Sequence, residues 1–285
     1  MSATERIRVP LEGLWPAPTP IVGMVHLAPL PGAPGWAGSM DAVLERAVDE
    51  ACALEEGGLD GVLVENYGDS PFHPARVPAE TVAAMAVAVG EVVRAVDVPV
   101  GVNVLRNDAS AALAVAVATG ARFIRVNVHA GVMLGDQGWL VGRAHETLRL
   151  RERLGVRVAI LADVLVKHAA PPAAPIEPGR AARDLWRRGL ADGLIVSGEA
   201  TGESTDPARL RAVRAAVPEA PVWVGSGVTE RAVEAAVPLA DGAIVGSALQ
   251  QDGEAGAGVE PKRVAAFMRA VERVRAHHRA DERSG

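Results

Sequence analysis

From about residue 20 to about residue 277 the chain alternates short, strongly apolar runs with longer amphipathic stretches. Apolar runs of this length suit strands buried on both faces, and the stretches between them repeat their apolar positions at helical spacing. The runs predict eight strands, at 21–25, 59–64, 98–102, 120–126, 156–160, 190–196, 220–224 and 239–245. Helical patterns follow them at about 40–56, 79–96, 108–119, 139–154, 179–188, 206–216, 229–237 and 260–277. Eight such strand–helix units in one chain predict an α/β fold, a (β/α)8 TIM barrel over 19–277, with an N-terminal extension at 1–18 and a polar tail at 278–285.

A second period is written over the first. Leu59-Asp60-Gly61, Leu190-Ala191-Asp192-Gly193 and Leu239-Ala240-Asp241-Gly242 open alternate strands with one phrase, and Gly120-Ala121-Arg122 is a looser fourth version. The strands between them open on Val98-Pro99, Val156-Arg157 and Ala220-Pro221 instead. A two-unit repeat is what a barrel built from (βα)2 pieces retains. Gly57-Gly58, Gly120, Gly155 and Gly189 fit helix C-terminal positions.

The αβ connections are short, whereas several βα connections are long: 27–39, 66–78, 129–138, 164–178 and 198–205. All of these emerge at the C-terminal face, where barrel enzymes keep their active sites. Trp36, Tyr67, Phe72 and Trp139 on these loops serve either as lids or as a docking patch.

At 285 residues with 49% hydrophobic residues, the chain is long enough for one barrel and its core. Aromatics at 3% leave that core to small branched side chains. A net charge of −6 gives no broad positive field, which argues against nucleic acid as a partner. The single cysteine, Cys52, sits on the apolar side of its helix and is expected in the core; without a disulfide framework, a reducing, cytoplasmic setting is expected. The N-terminus lacks the apolar stretch of a secretory signal, and no run approaches the roughly 18 apolar residues of a membrane span, so any membrane contact is peripheral. A homo-oligomer remains open.

Candidate chemistry gathers where strands end. The apolar runs stop on His26, Glu65, Asn103, Arg125 with Asn127, Asp163, and Ser197 with Glu199. Strand alternation puts Arg125 and Asn127 on one side of their strand, and Asp163 and Lys167 likewise share parity. Unpartnered burial of such groups costs a few kcal/mol each, so they pair with one another, with water or with a ligand. His26 is either a hydrogen-bonded rim histidine or a catalytic one. Glu65 and Arg125 form either an ion pair or part of a ligand site. Asn103, Asn107 and Asn127 double as turn residues, and Asp108 reads as a helix N-cap. Only two of the 29 basic residues are lysines. Lys262 opens the last helix, while Lys167 follows the fifth strand, where it is a phosphate contact, a proton shuttle, a Schiff-base amine or a solvated loop residue. Gly225-Ser226-Gly227 and Gly246-Ser247 end the last two strands, the usual phosphate site of such barrels. His26, Glu65 and Asp163 are mixed potential ligands without metal spacing, and no GxGxxG follows a strand; no metal or cofactor is expected, beyond room for a phosphate or sulfate.

Longer motifs then carry a resemblance. Ile21-Val22-Gly23-Met24-Val25-His26-Leu27, Val64-Glu65-Asn66-Tyr67-Gly68-Asp69, Gly101-Val102-Asn103-Val104-Leu105-Arg106-Asn107-Asp108, Asp136-Gln137-Gly138, Ala162-Asp163-Val164-Leu165-Val166-Lys167-His168 and Thr201-Gly202 resemble the BtpA family, which includes photosystem I biogenesis proteins and SgcQ proteins. Departures are Gly135 and Ser197, where threonine is common. The resemblance implies a barrel of the ribulose-phosphate-binding type, without a reaction. Beside it, the polar strand ends, long βα loops and glycine turns make Glu65, Asp163, Lys167 and His26 the expected catalytic groups, with Asn103, Arg106, Arg125, Asn127, Ser197 and Thr201 expected to bind the substrate. The expected ligand is a small phosphorylated molecule handled by a lyase or isomerase; the alternative is a non-enzymatic assembly factor for a membrane complex.

Overall fold

A computed structural model describes residues 7–15, 17–198 and 205–282, apart from the side chains of Ala236 and 277–282. The expectations placed on Glu199 and Thr201 lie outside the described residues. Eight parallel strands close a barrel: β1 (Ile21–His26), β2 (Gly61–Glu65), β3 (Val100–Asn103), β4 (Phe123–Val126), β7 (Ala159–Asp163), β9 (Gly193–Ser197), β10 (Val222–Gly225) and β11 (Gly242–Val245). The final strand pairs with the first, Ile21 beside Ala243. Three further strands, β5 (Val132–Gly135), β6 (Gly138–Val141) and β8 (Ala169–Ala170), form a small antiparallel sheet on the rim.

Helices α1 (Met40–Glu56), α2 (Ala79–Ala95), α3 (Ala109–Thr119), α4 (Ala144–Leu154), α5 (Pro178–Arg183), α6 (Pro207–Ala216), α7 (Val233–Ala236) and α8 (Pro261–Glu282) ring the barrel. Their ends carry local signals. Asp108 caps α3 through the Ala111 N–H, as its residue type predicts, and Gly120 and Gly155 close α3 and α4 in the left-handed conformation.

Four expectations need correction. The stretch 129–138 is not a bare loop, because Gly131 to Gly142 folds as the β5–β6 hairpin; α4 therefore starts at Ala144 rather than 139. The helix expected at 229–237 shrinks to one turn and a 3-10 segment, Val237–Leu239. The last helix continues to Glu282, through much of the stretch read as tail. Cys52 is half-buried against the core rather than inside it.

The barrel interior explains where the site must lie. Met24, Leu63, Phe123, Leu161, Ile195, Trp223 and Ile244 form one inward cluster. Two residues further along each of these strands, on the same side, stand His26, Glu65, Arg125, Asp163, Ser197, Gly225 and Gly246. The polar groups are thus the upper layer of the same interior. Below, Trp15 from the N-terminal segment enters the barrel and meets Phe123 edge-on and Trp223 at a tilt, with ring centroids 5.3 and 4.7 Å away. Gly101 faces the same space, where a Cβ would fall 2.3 Å from the Phe123 ring, so the small residue admits the large one.

The repeated aspartates hold the other end. Asp60, Asp192 and Asp241 each accept the main-chain N–H of the strand before their own, from Ile21, Ile160 and Val222, each at 2.7 Å. Each also takes an arginine from a helix: Arg275, Arg151 and Arg214 respectively. The looser fourth phrase has Arg122 at that position, a donor that cannot accept a main-chain N–H in the aspartate's place.

Candidate functional site

A cavity of about 460 Å³ opens at the C-terminal ends of the strands. His26, Glu65, Arg106, Arg125, Asn127, Lys167, Ser226, Gly227, Gly246 and Ser247 line it. The remaining described candidates, Asn103, Asp163, Ser197 and Gly225, are not among its lining residues. Asp163 is held by Arg125 through Nε at 3.2 Å and Nη2 at 3.1 Å, and by Asn127 Nδ2 at 2.8 Å. Arg125 thus pairs with Asp163 and not, as one reading expected, with Glu65. Burial lowers the Arg125 pKa, but Asp163 and Glu65 outweigh it and the net shift is upward. Asn103 donates to Glu65 rather than facing the cavity. Gly225 and Ser197 do not line it either: a Cβ on Gly225 would lie 2.8 Å from Ile195 and 3.1 Å from the Ser197 hydroxyl, so both are packing positions beneath the turn.

His26 is fixed in one tautomer. Gly256 donates its main-chain N–H to Nδ1 at 3.2 Å, and Gln250 Nε2 lies 2.7 Å from the same nitrogen. A main-chain N–H can only donate, so Nδ1 is the acceptor and Nε2 carries the proton, 3.8 Å from Glu65 Oε1. Burial lowers the His26 pKa, partly countered by Glu65. The ring is therefore neutral and presents an N–H to the cavity, backed by Tyr67 at 4.5 Å.

Lys167 is held by its loop and by its amine. Arg106 Nη2 grips the Lys167 carbonyl at 2.7 Å, and Arg209 Nη2 grips those of Val164 and Leu165 at 2.9 Å. Leu165 and His168, on either side, sit at φ 54° and 57°. Left-handed non-glycine residues of this kind cost on the order of 1–2 kcal/mol and gather at functional loops. Nζ donates to Ser226 Oγ at 2.9 Å. Burial, followed by Arg125, brings the Lys167 pKa down to about 8. Ser226 and Gly227 are left-handed too, at φ 63° and 65°, which curls the turn toward the amine.

The β1, β2 and β3 loops are clamped together. Asn66 accepts from Leu105 N at 2.7 Å and donates to Asp69 at 3.0 Å, while Asp69 accepts from Leu30 N at 2.8 Å. This clamp presents Arg106, whose pKa burial lowers against the pull of Asp163. Asn107 copies a strand partner on Val128, accepting at 2.8 Å and donating at 3.0 Å. His129 bonds the Gly189 carbonyl at 2.9 Å, and burial holds its pKa down to about 4.

Sequence reasoning assigned no role to Gln250 and Gly256. They lie far along the chain from His26 and in no signature. Asp136 and Gln137 line the cavity from the hairpin turn, inside a matched motif that suggested no chemistry. Among the described residues no cluster of three or more His, Cys, Asp or Glu could hold a metal, and no helix is long and apolar enough to cross a membrane.

Known proteins share this architecture. Phosphoribosyl anthranilate isomerase from Thermococcus kodakaraensis superposes with a TM-score of 0.55 at 17% identity, over 89% of this chain and 98% of that one. A structure titled native KDPGal gives 0.55 at 15% identity, over 91% and 98%. At such identities the likeness concerns the fold alone. In sequence, the photosystem I biogenesis protein BtpA of Synechocystis is 48% identical over 88% of both chains. An uncharacterized protein of Pyrococcus horikoshii is 44% identical over 82% of this chain and 88% of its own. The putative sgc region protein SgcQ of Escherichia coli is 33% identical over 90% and 95%. With the BtpA family model matching residues 17–273 as well, this chain, a closed (β/α)8 barrel with its polar strand ends gathered around one cavity, belongs to the BtpA family.

Proposed function

We propose that the protein is an enzyme acting on a small, sugar-phosphate-like metabolite at the C-terminal mouth of the barrel. One observation carries the reading: Lys167 Nζ meets Ser226 Oγ on a cavity wall that also bears the Gly227 and Gly246–Ser247 turns. Main-chain N–H groups in such turns, with an ammonium beside them, suit a phosphate dianion. The neighbouring groups divide the remaining chemistry. Glu65, oriented by Asn103, is the base; neutral His26 is a hydrogen-bond donor to developing negative charge. Asp163 holds Arg125 and Asn127 in place. The amine of Lys167, near neutrality in its pKa, serves either the phosphate or a proton transfer.

Titrating inorganic phosphate and ribulose 5-phosphate while following the thermal midpoint tests the reading. A rise that grows with the logarithm of ligand concentration is expected, worth about 2.7 kcal/mol at 100 times Kd. No rise with either, together with an empty Ser226–Ser247 wall in crystals soaked with them, rejects it.

A second reading rests on the hairpin. Val132, Leu134, Trp139 and Val141 share its outward face, with Trp139 60% exposed, while Met133 and Leu140 face the core. Together with the relative named a photosystem I biogenesis protein, this face supports a role as an assembly factor. Trp139→Ser then weakens co-purification of a membrane complex from the native cell and leaves phosphate binding unchanged; no co-purification with the unaltered protein rejects this second reading.

A further inference from the structure

Three polar atoms in the cavity wall are left without a hydrogen-bond partner: Gln137 Oε1 on the half-buried hairpin turn, and Asn127 Oδ1 and Arg106 Nε deeper in. Asn127 and Arg106 are the buried residues, 3% and 6% exposed, and their two atoms define the deeper wall. Buried polar atoms of this kind are ordinarily satisfied, and those in a binding cavity are completed by the ligand.

Each of the deeper two has a fixed role. Asn127 Nδ2 donates to Asp163 at 2.8 Å, so the amide orientation is set by an acceptor-only carboxylate and Oδ1 is left to accept. Arg106 Nη2 is bound to the Lys167 carbonyl at 2.7 Å, so the guanidinium cannot turn and Nε–H is left to donate. A carboxylate taken side-on through Nε and Nη2 would have to share Nη2 with the Lys167 carbonyl. Nε–H is the buried donor left unmatched, and a single acceptor oxygen such as a ketone carbonyl completes it without disturbing that bond.

We infer that the cavity selects phosphorylated hydroxycarbonyl compounds, Arg106 Nε donating to the carbonyl oxygen and Asn127 Oδ1 accepting from a neighbouring hydroxyl. The inference rests on the phosphate reading above and adds the class of molecule attached to the phosphate. A site built around such groups rejects analogues lacking them, because its own buried atoms then stay unpaired.

Four probes separate the two levels: inorganic phosphate, pentyl phosphate, ribulose 5-phosphate and 5-phosphoribonate, measured by calorimetry on the full chain. The expected result is ribulose 5-phosphate binding at least about 10-fold tighter than pentyl phosphate, as one or two satisfied buried groups give. It should also bind no more weakly than the carboxylate, 5-phosphoribonate. Arg106→Lys keeps the charge and removes Nε; it should lower the ratio of ribulose 5-phosphate to pentyl phosphate affinity about 10-fold, a ratio in which any effect of the lost Lys167 carbonyl bond on the phosphate cancels. Asn127→Leu should reduce the same ratio, with Asp163 still held by Arg125, and Arg106→Lys decides alone should that variant not fold. Phosphate binding with equal affinity for pentyl phosphate and ribulose 5-phosphate overturns the inference and leaves the phosphate reading standing. So does preference for the carboxylate. Failure of all four probes overturns both.

Discussion

Strand β2 has a carboxylate at each end, Asp60 just before it and Glu65 as its last residue, and the two ends of the barrel treat them differently. At the floor, Asp60 takes a main-chain N–H and Arg275, closing a clamp that Asp192 and Asp241 repeat with Arg151 and Arg214. At the mouth, Glu65 is steadied by Asn103 while its surroundings leave Arg106 Nε and Asn127 Oδ1 unmatched. A charge that closes on protein partners holds structure; a charged layer with open valences holds a ligand. Conservation of charge type along one strand therefore says little until the end of the barrel is known.

The largest expected effect tests the floor. Asp192→Ala strands Arg151, which is buried, and should cost about 3–5 kcal/mol in denaturant unfolding. The folded fraction should bind phosphate as before; a variant of undiminished stability would erase the distinction between the two ends. At the mouth, Lys167→Met should weaken phosphate binding about 10- to 100-fold, equivalent to about 1.4–2.7 kcal/mol, with stability held or raised because a buried amine is removed. Loss of stability without loss of affinity would make Lys167 a floor-like residue.

The pH response sharpens the same contrast. Lys167 falls from its ordinary 10.5 to about 8 in the folded chain, so between those values the unfolded chain binds more protons. Its contribution to stability therefore rises with pH across that window, and anion affinity falls as pH passes about 8. Lys167→Met should flatten both profiles, and unchanged profiles would remove the amine from the site. The smallest effect returns to the floor: Asp241 and Arg214 are 41% and 34% exposed, so Asp241→Ala should cost only about 1 kcal/mol in the same unfolding assay.

Much of this arrangement was legible beforehand. Eight apolar runs of strand length, six stopping on a polar residue and the last two on a glycine turn, were enough to locate the mouth, because alternation carries Leu63 and Glu65, or Phe123 and Arg125, to the same interior side. The scarcity of lysine marked Lys167. Less was legible where partners are remote. Trp139, Leu140 and Val141 fit a helical period as well as a strand, and only pairing of Leu134 with Trp139 and Ala170 makes them a hairpin. The stretch after Thr229 looked like a full crossover helix, yet a single turn suffices to reach Val237.

Sequence by itself determined the ring of strands, the face on which chemistry gathers and the repeated aspartates, because those are periodic properties of neighbouring residues. Tertiary structure alone decided who pairs with whom. Arg125 chose Asp163 over Glu65, and Gln250 and Gly256 fixed the proton on His26. Hydrogen-bond geometry acts over about 3 Å, here between residues more than 200 positions apart, and no local pattern records it.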